Sequence, residues 1–163
     1  VSAPRAVIGA RHRVTTDGLI HGSTIENGAD RLVGRSVLIA AADQFLAALA
    51  LIELDGSARR IVLCPPDLAL EHLPYVIRST GIDTVVSDGE ILVGAAIDSV
   101  PHLRCTASPV PGNHSAQWNS PTEWVLLTSG TTGRPAGIPG DCCGTGSEPR
   151  YHWLHSRTHT RLS

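Results

Sequence analysis

Thr128-Ser129-Gly130-Thr131-Thr132-Gly133-Arg134-Pro135 places two glycines and four hydroxyl residues in one turn, directly after the apolar run Trp124-Val125-Leu126-Leu127. Glycine lets a backbone approach a ligand closely and point its N–H groups inward, and hydroxyls add donors without bulk. That chemistry suits the wrapping of a polyphosphate; a solvated Ser/Thr/Gly loop is the plainer alternative. The Walker A pattern is not met, because the glycines lie three apart and no Lys-Ser/Thr pair follows. All 13 basic residues are arginine, which excludes every mechanism that needs a lysine of this chain as phosphate clamp, Schiff base or general base.

Trp124 to Pro135 closely resembles the signature of the adenylate-forming superfamily, which holds acyl-CoA synthetases, luciferases and nonribosomal-peptide adenylation domains. Their hallmark is a hydrophobic strand, then Thr-Ser-Gly-Thr-Thr-Gly, then Arg or Lys, Pro, Lys, Gly. Thr128 to Pro135 and Gly137 match that run. Upstream, Gly34 to Ile39 through Leu73 to Asp83 is similar to the family's first α/β segment, so the resemblance spans roughly residues 30 to 137. It implies an N-terminal fragment of an acyl-CoA synthetase-like protein. Such enzymes join a carboxylic acid to AMP with loss of pyrophosphate and pass the acyl group to a thiol, using ATP with Mg²⁺. By that resemblance Thr128, Ser129, Gly130, Thr131, Thr132 and Gly133 hold the ATP phosphates, and no catalytic residue is assigned. Ala136 stands where the family carries lysine. Family members also run to several hundred residues, with adenine-binding, magnesium-binding and hinge motifs beyond the phosphate loop. The expectation is therefore a truncated AMP-dependent ligase that is inactive alone. The alternative is a small non-catalytic α/β domain that binds a nucleotide, or a partner subunit supplying the missing motifs.

The loop needs a sheet to hold it. Ser36-Val37-Leu38-Ile39-Ala40 is a short β-branched apolar run and reads as a buried strand. Asp43 is placed to cap a helix over Gln44 to Leu54, apolar on most sides and stopped by Asp55-Gly56. Arg60 to Cys64 reads as the next strand, with Cys64 a buried thiol at its end. A helix follows, beginning between Asp67 and Pro74 with Pro74 in its first turn and ending at Gly81. Asp83 to Ser87 is the third strand, closed by Asp88-Gly89, and Glu90 to Val93 reads as a short extra one. Strand, helix, strand, helix, strand at this spacing predicts parallel pairing and an α/β class: a partial parallel sheet with flanking helices, the incomplete N-terminal part of the adenylate-forming fold. The prolines between Val100 and Pro121 predict a connecting loop there.

Three regions result: an irregular segment over 1–35 with turn signals at Asp17-Gly18 and Asn27-Gly28, an α/β part over 36–137, and a tail over 138–163. The tail lacks apolar periodicity and is expected to be disordered, or the product of a reading frame that slips near Pro135–Ala136. Cys142, Cys143, His152, His155 and His159 raise a zinc site, the histidines sharing a face if that stretch were helical. Adjacent cysteines rarely bind one ion together, so no metal is expected. His21, His72, His102 and His114 are isolated and read as surface or capping residues.

The chain has 163 residues, 42% hydrophobic and 17% charged, with formal net charge −2. That is enough length for one ordinary domain, and the charge balance gives no reason to expect a nucleic acid or an acidic membrane as partner. Its longest strongly apolar run, Phe45 to Ile52, is far below the roughly 18 residues of a spanning helix. No export signal is evident, the four cysteines lack a secreted framework spacing, and the expected compartment is cytoplasmic.

Overall fold

Four consecutive residues of the run starting at Ser36, Val37 to Ala40, are at most 1% exposed, because a layer packs against each side of them. In the computed structural model, which describes residues 5–89, 100–111, 121–128 and 152–156, this run is the centre of the sheet. The elements are β1 (Ala6–Ile8), β2 (Arg13–Thr15), α1 (Thr16–His21), β3 (Gly22–Ile25), β4 (Ser36–Ala40), α2 (Gln44–Leu54), β5 (Arg60–Leu63), α3 (Leu73–Thr80), β6 (Thr84–Ser87), β7 (His102–Pro111), β8 (Glu123–Thr128) and β9 (His152–Ser156). Single 3-10 turns stand at Ala29–Leu32 and Leu70–His72.

Strands β1 and β2 form a separate antiparallel hairpin, and the other seven form one sheet in the order β3-β7-β6-β4-β5-β8-β9. The inner strands from β7 to β8 pair in parallel, and the two outermost, β3 and β9, pair antiparallel. Helix α2 buries Ala50 and Leu54 against Val37, Ile39 and Ile61 on one face. Helix α3 buries Val76 and Ile77 against Leu38, Val62, Val85 and Val125 on the other. Successive residues of a strand face opposite ways, so only a sheet covered on both sides makes a continuous apolar run.

The helices begin and end where the sequence predicts. The Asp43 carboxylate accepts from the Phe45 amide at 2.8 Å and caps α2. Pro74 lies in the first turn of α3, where no intrahelical donor is lost, and Gly81 ends it at φ 61°, a left-handed conformation that glycine adopts without strain. Asn27-Gly28 forms the expected turn, with the Gly28 amide donating to Ile25 O at 2.9 Å.

Other expectations are corrected. Residues 102–111 are not a connecting loop but the ten-residue strand β7, whose exposure alternates from His102 to Val110. The proline signal misleads there because Pro109 falls where the β3–β7 register shifts, between the Ser23–Val110 and Ile25–Cys105 pairs. A bulge tolerates a residue with no N–H to donate. Within residues 5–35 the chain forms the short strands β1, β2 and β3 and the six-residue helix α1. Asp17-Gly18 is part of α1 rather than a turn, and the Thr15 hydroxyl caps that helix by accepting from the Gly18 amide at 3.1 Å. Part of the tail is also regular: 152–156 is the strand β9, antiparallel to β8. That removes the helix on which a shared face of His152 and His155 depended. Cys64 is half-buried just beyond β5 rather than fully enclosed. The rest of the tail, His159 included, lies outside the described residues, as do the predicted strand at Glu90 to Val93 and His114.

Candidate functional site

In open α/β sheets ligands bind at the carboxyl ends of the strands, in the crevice where successive connections leave in opposite directions. Here β4 is followed by β5 on one side, and the chain then returns to β6 on the other. The crevice between β4 and β6 is filled by the protein itself. Asp88, just past β6 and only 8% exposed, accepts from the Ala42 amide at 2.6 Å and the Asp43 amide at 2.9 Å through Oδ2. The donors that an anionic ligand would meet at the start of α2 are therefore already satisfied by a carboxylate. Asp88→Ala would leave both amides without that acceptor, and a loss of about 2 kcal/mol is expected in urea unfolding, with Asp88→Asn falling between it and the wild type.

With that crevice closed, the carboxyl edge continues to β5 and β8. The register Leu63–Leu126 brings the end of β8, at Thr128, into the lane beside Cys64 and the Pro65-Pro66 turn. Of the sequence-derived phosphate residues, Thr128 is thus the last position of a parallel strand on the expected edge. Ser129, Gly130, Thr131, Thr132 and Gly133 lie outside the described residues, as do Arg134, Ala136, Cys142 and Cys143.

Two thiols lie among the described residues, Cys64 just beyond β5 and Cys105 on β7, and burial raises the pKa of both. Burial, helped by the nearby Asp67 carboxylate, pushes the Cys64 thiol up to about 12. Burial raises Cys105 to about 11; a hydrogen bond to Thr24 opposes the rise, and the Glu53 and Asp88 charges add to it. Since the thiolate is the reactive form, peptide mapping after iodoacetamide at pH 8 is expected to find both positions essentially unlabelled in the folded protein. The linkage has a definite sign. The folded state holds these protons more tightly than the unfolded chain, so their stabilising contribution is complete below pH 9 and is lost as the pH rises from 9 toward 12.

Sequence reasoning missed one polar pair: the Ser87 hydroxyl lies 2.7 Å from His102 Nε2. Ser87 is fully buried and accepts from the Gly89 amide at 3.0 Å, so it braces the end of β6. His21 is exposed and sits over the Asp17 carbonyl at 3.0 Å, as the surface and capping readings expect, whereas His72 precedes α3 without a side-chain hydrogen bond that caps it. Among the described residues no three His, Cys, Asp or Glu side chains come together to hold a metal ion. No helix among them is long and apolar enough to cross a membrane. A groove of about 690 Å³ runs along the β3–β7 ribbon past Thr24, Arg104 and Val110, on the flank of the sheet away from β8.

Neither a known protein family nor a curated protein matches the chain by sequence. Solved structures match it by shape. The N-terminal subdomain of NpsA from Klebsiella oxytoca superposes with a TM-score of 0.53 at 16% identity, covering 80% of this chain and 36% of that one. A malonyl-CoA ligase, solved as a ternary product complex with methylmalonyl-CoA and AMP, gives 0.52 at 15% identity, covering 82% of this chain and 29% of that one. The chain spans about a third of the length of these solved chains. The likeness is one of fold: an α/β architecture with a mostly parallel sheet.

Proposed function

We propose that this chain is the N-terminal part of an AMP-forming, acyl-CoA synthetase-like ligase, and that the residues following β8 hold the phosphates of ATP. In that reading Thr128, Ser129, Gly130, Thr131, Thr132 and Gly133 supply backbone and hydroxyl donors, and the whole ligase joins a carboxylic acid to AMP before transfer to a thiol. The observation that supports it is positional. The Thr-Ser-Gly-Thr-Thr-Gly run begins at the carboxyl end of a parallel strand, the edge where α/β sheets take their ligands, and the fold around it is shared with a ligase structure. The carboxylic acid, the thiol and the Mg²⁺ that accompanies the nucleotide belong to the whole ligase, and a partner subunit is a possible source of the remaining motifs.

Adenylate formation depends on fixed positive charge around the transferring phosphates and on holding both substrates in line. Ala136 offers no cation, and no lysine of this chain replaces it. The 163-residue chain by itself is therefore expected to show no carboxylate-dependent ATP–pyrophosphate exchange, while binding ATP at roughly millimolar Kd, about −4 kcal/mol. Gly130→Val/Gly133→Val is expected to abolish that binding. Exchange above the level of this double variant would refute the inactivity, and ATP binding indifferent to both glycines would refute the phosphate assignment.

A further inference from the structure

We propose that Asn27-Gly28, the turn that follows β3, is a site of spontaneous modification, where the folded chain converts its own asparagine through a succinimide into aspartate and isoaspartate. The inference is independent of the nucleotide reading above.

The sequence holds the elements of this chemistry four times, at Asp17-Gly18, Asn27-Gly28, Asp55-Gly56 and Asp88-Gly89. In each pair the glycine nitrogen follows a side-chain carbonyl, and glycine has no Cβ to obstruct its approach. The structure separates the four. Asp88 is 8% exposed, its Oδ2 accepts from the Ala42 and Asp43 amides, and the Gly89 amide donates to Ser87 Oγ at 3.0 Å. Asp55 Oδ1 accepts from Trp124 Nε1 at 3.0 Å, and the Gly56 amide donates to Thr122 Oγ1 at 2.8 Å. Asp17 lies in α1 with its Oδ1 3.3 Å from His21 Nδ1, and the Gly18 amide donates to the Thr15 hydroxyl at 3.1 Å. At all three pairs the carboxyl group and the attacking nitrogen are both held.

Asn27 differs on the side-chain half. It is exposed, and among the described residues its carboxamide has no hydrogen-bond partner. The Gly28 nitrogen is held by one turn bond, to Ile25 O at 2.9 Å, beyond the outermost strand of the sheet. Nothing lies within 4 Å of where a Cβ of Gly28 would stand, so a ring has room to close. Asn27 is also the one non-glycine residue with positive φ among the described residues, at 63°. That conformation is a sparsely populated one for a side-chain-bearing residue, so leaving it for the ring geometry gives up little.

The reaction consumes water and releases ammonia. Hydroxide takes the Gly28 N–H proton, the nitrogen bonds to Asn27 Cγ, and the Cγ–Nδ2 bond breaks as the departing nitrogen takes a proton from water. Water then opens the ring. Cleavage at Cγ gives aspartate, and cleavage at the main-chain carbonyl carbon gives isoaspartate, with the chain lengthened by a methylene. The new carboxylate joins Glu26 and Asp30 in the lining of the β3–β7 groove, on the same wall system as Arg104. The modification therefore makes that groove more acidic and leaves β8 untouched.

The test incubates the whole chain near neutral pH, folded and in guanidinium chloride, and quantifies the four Asx-Gly peptides by mass spectrometry. Isoaspartate is read with a protein-isoaspartate methyltransferase. Conversion at Asn27 in the folded chain is expected within about tenfold of its rate in guanidinium, since one turn hydrogen bond must open. It is expected to yield both aspartate and isoaspartate and to speed up with hydroxide concentration. The three Asp-Gly peptides are expected to isomerise in guanidinium and to stay at their starting level in the folded chain. Asn27→Gln, whose longer side chain closes a ring far more slowly, is expected to show no conversion at this position over the same time. The wild-type arms need no variant and stand even if Asn27→Gln folds poorly. Folding that retards Asn27 as strongly as the Asp-Gly pairs would overturn the proposal, because the turn would then be a shield. An Asp-Gly pair that keeps its unfolded rate when folded would overturn the ranking it rests on. Aspartate without isoaspartate would mark direct hydrolysis and overturn the attack by Gly28.

Discussion

Glu53→Ala is expected to lower the unfolding free energy by about 3 kcal/mol, read as a shift of the urea midpoint at constant slope. Glu53 is 6% exposed, on the side of α2 turned toward the edge strand β3. Its Oε2 accepts from the Ser23 hydroxyl at 2.8 Å, and its Oε1 accepts from the Thr24 amide at 2.7 Å and from the Thr24 hydroxyl. Truncation leaves the buried Thr24 amide without its acceptor, returns the Ser23 hydroxyl to Ile25 O at 3.1 Å and leaves the Thr24 hydroxyl only the Cys105 thiol at 3.6 Å, and unsatisfied buried donors lose more than a made hydrogen bond gains. The triple change Glu53→Leu, Ser23→Ala, Thr24→Val removes the polar groups from both sides and is expected to recover a large part of the loss, although the Thr24 amide persists. A change of less than about 0.5 kcal/mol, roughly half an ordinary hydrogen bond, would show that the carboxylate holds nothing.

Leu38→Ala is expected to cost about 3 kcal/mol and Leu126→Ala less than about 1, although both are strand leucines. Leu38 is fully buried in β4 against α3, so its removal opens a cavity that neighbours in the densely packed centre cannot fill. Leu126 pairs with Leu63 and so shares the face that α2 covers over β4 and β5, yet it is 43% exposed, because α2 does not extend over β8. Paired thermal melts of the two variants decide the matter, and equal losses would mean that β8 is covered as thoroughly as β4.

These contrasts also show which features were legible in the sequence. The βαβαβ core from Ser36 to Ser87 was readable because each strand is buried on both faces and the helices carry their own start and stop signals: Asp43 and Pro74 begin them, Gly81 ends α3, and all three act through local backbone chemistry. Strand β7 was not readable, since its half-buried alternation carries two prolines and its pairing with β3 depends on residues some eighty positions away. Glu53 did leave a trace, as the only charged residue in Gln44-Phe45-Leu46-Ala47-Ala48-Leu49-Ala50-Leu51-Ile52-Glu53-Leu54. What it holds could not be read, because Ser23 and Thr24 belong to a distant segment. For the candidate site the strand under the loop was legible from Trp124 to Leu127. The closure of the β4–β6 crevice by Asp88 was not, because Asp88-Gly89 reads as an ordinary turn.

The late partner of β3 has a consequence for synthesis. At about 5–20 residues per second, the edge strand leaves the ribosome several seconds before β7 exists to pair with it. Glu53 follows β3 by only thirty positions. Its carboxylate can seat Ser23 and Thr24 while the sheet beside them is still unwritten, which makes α2 a temporary neighbour for a strand that would otherwise wait with one edge open to other nascent chains.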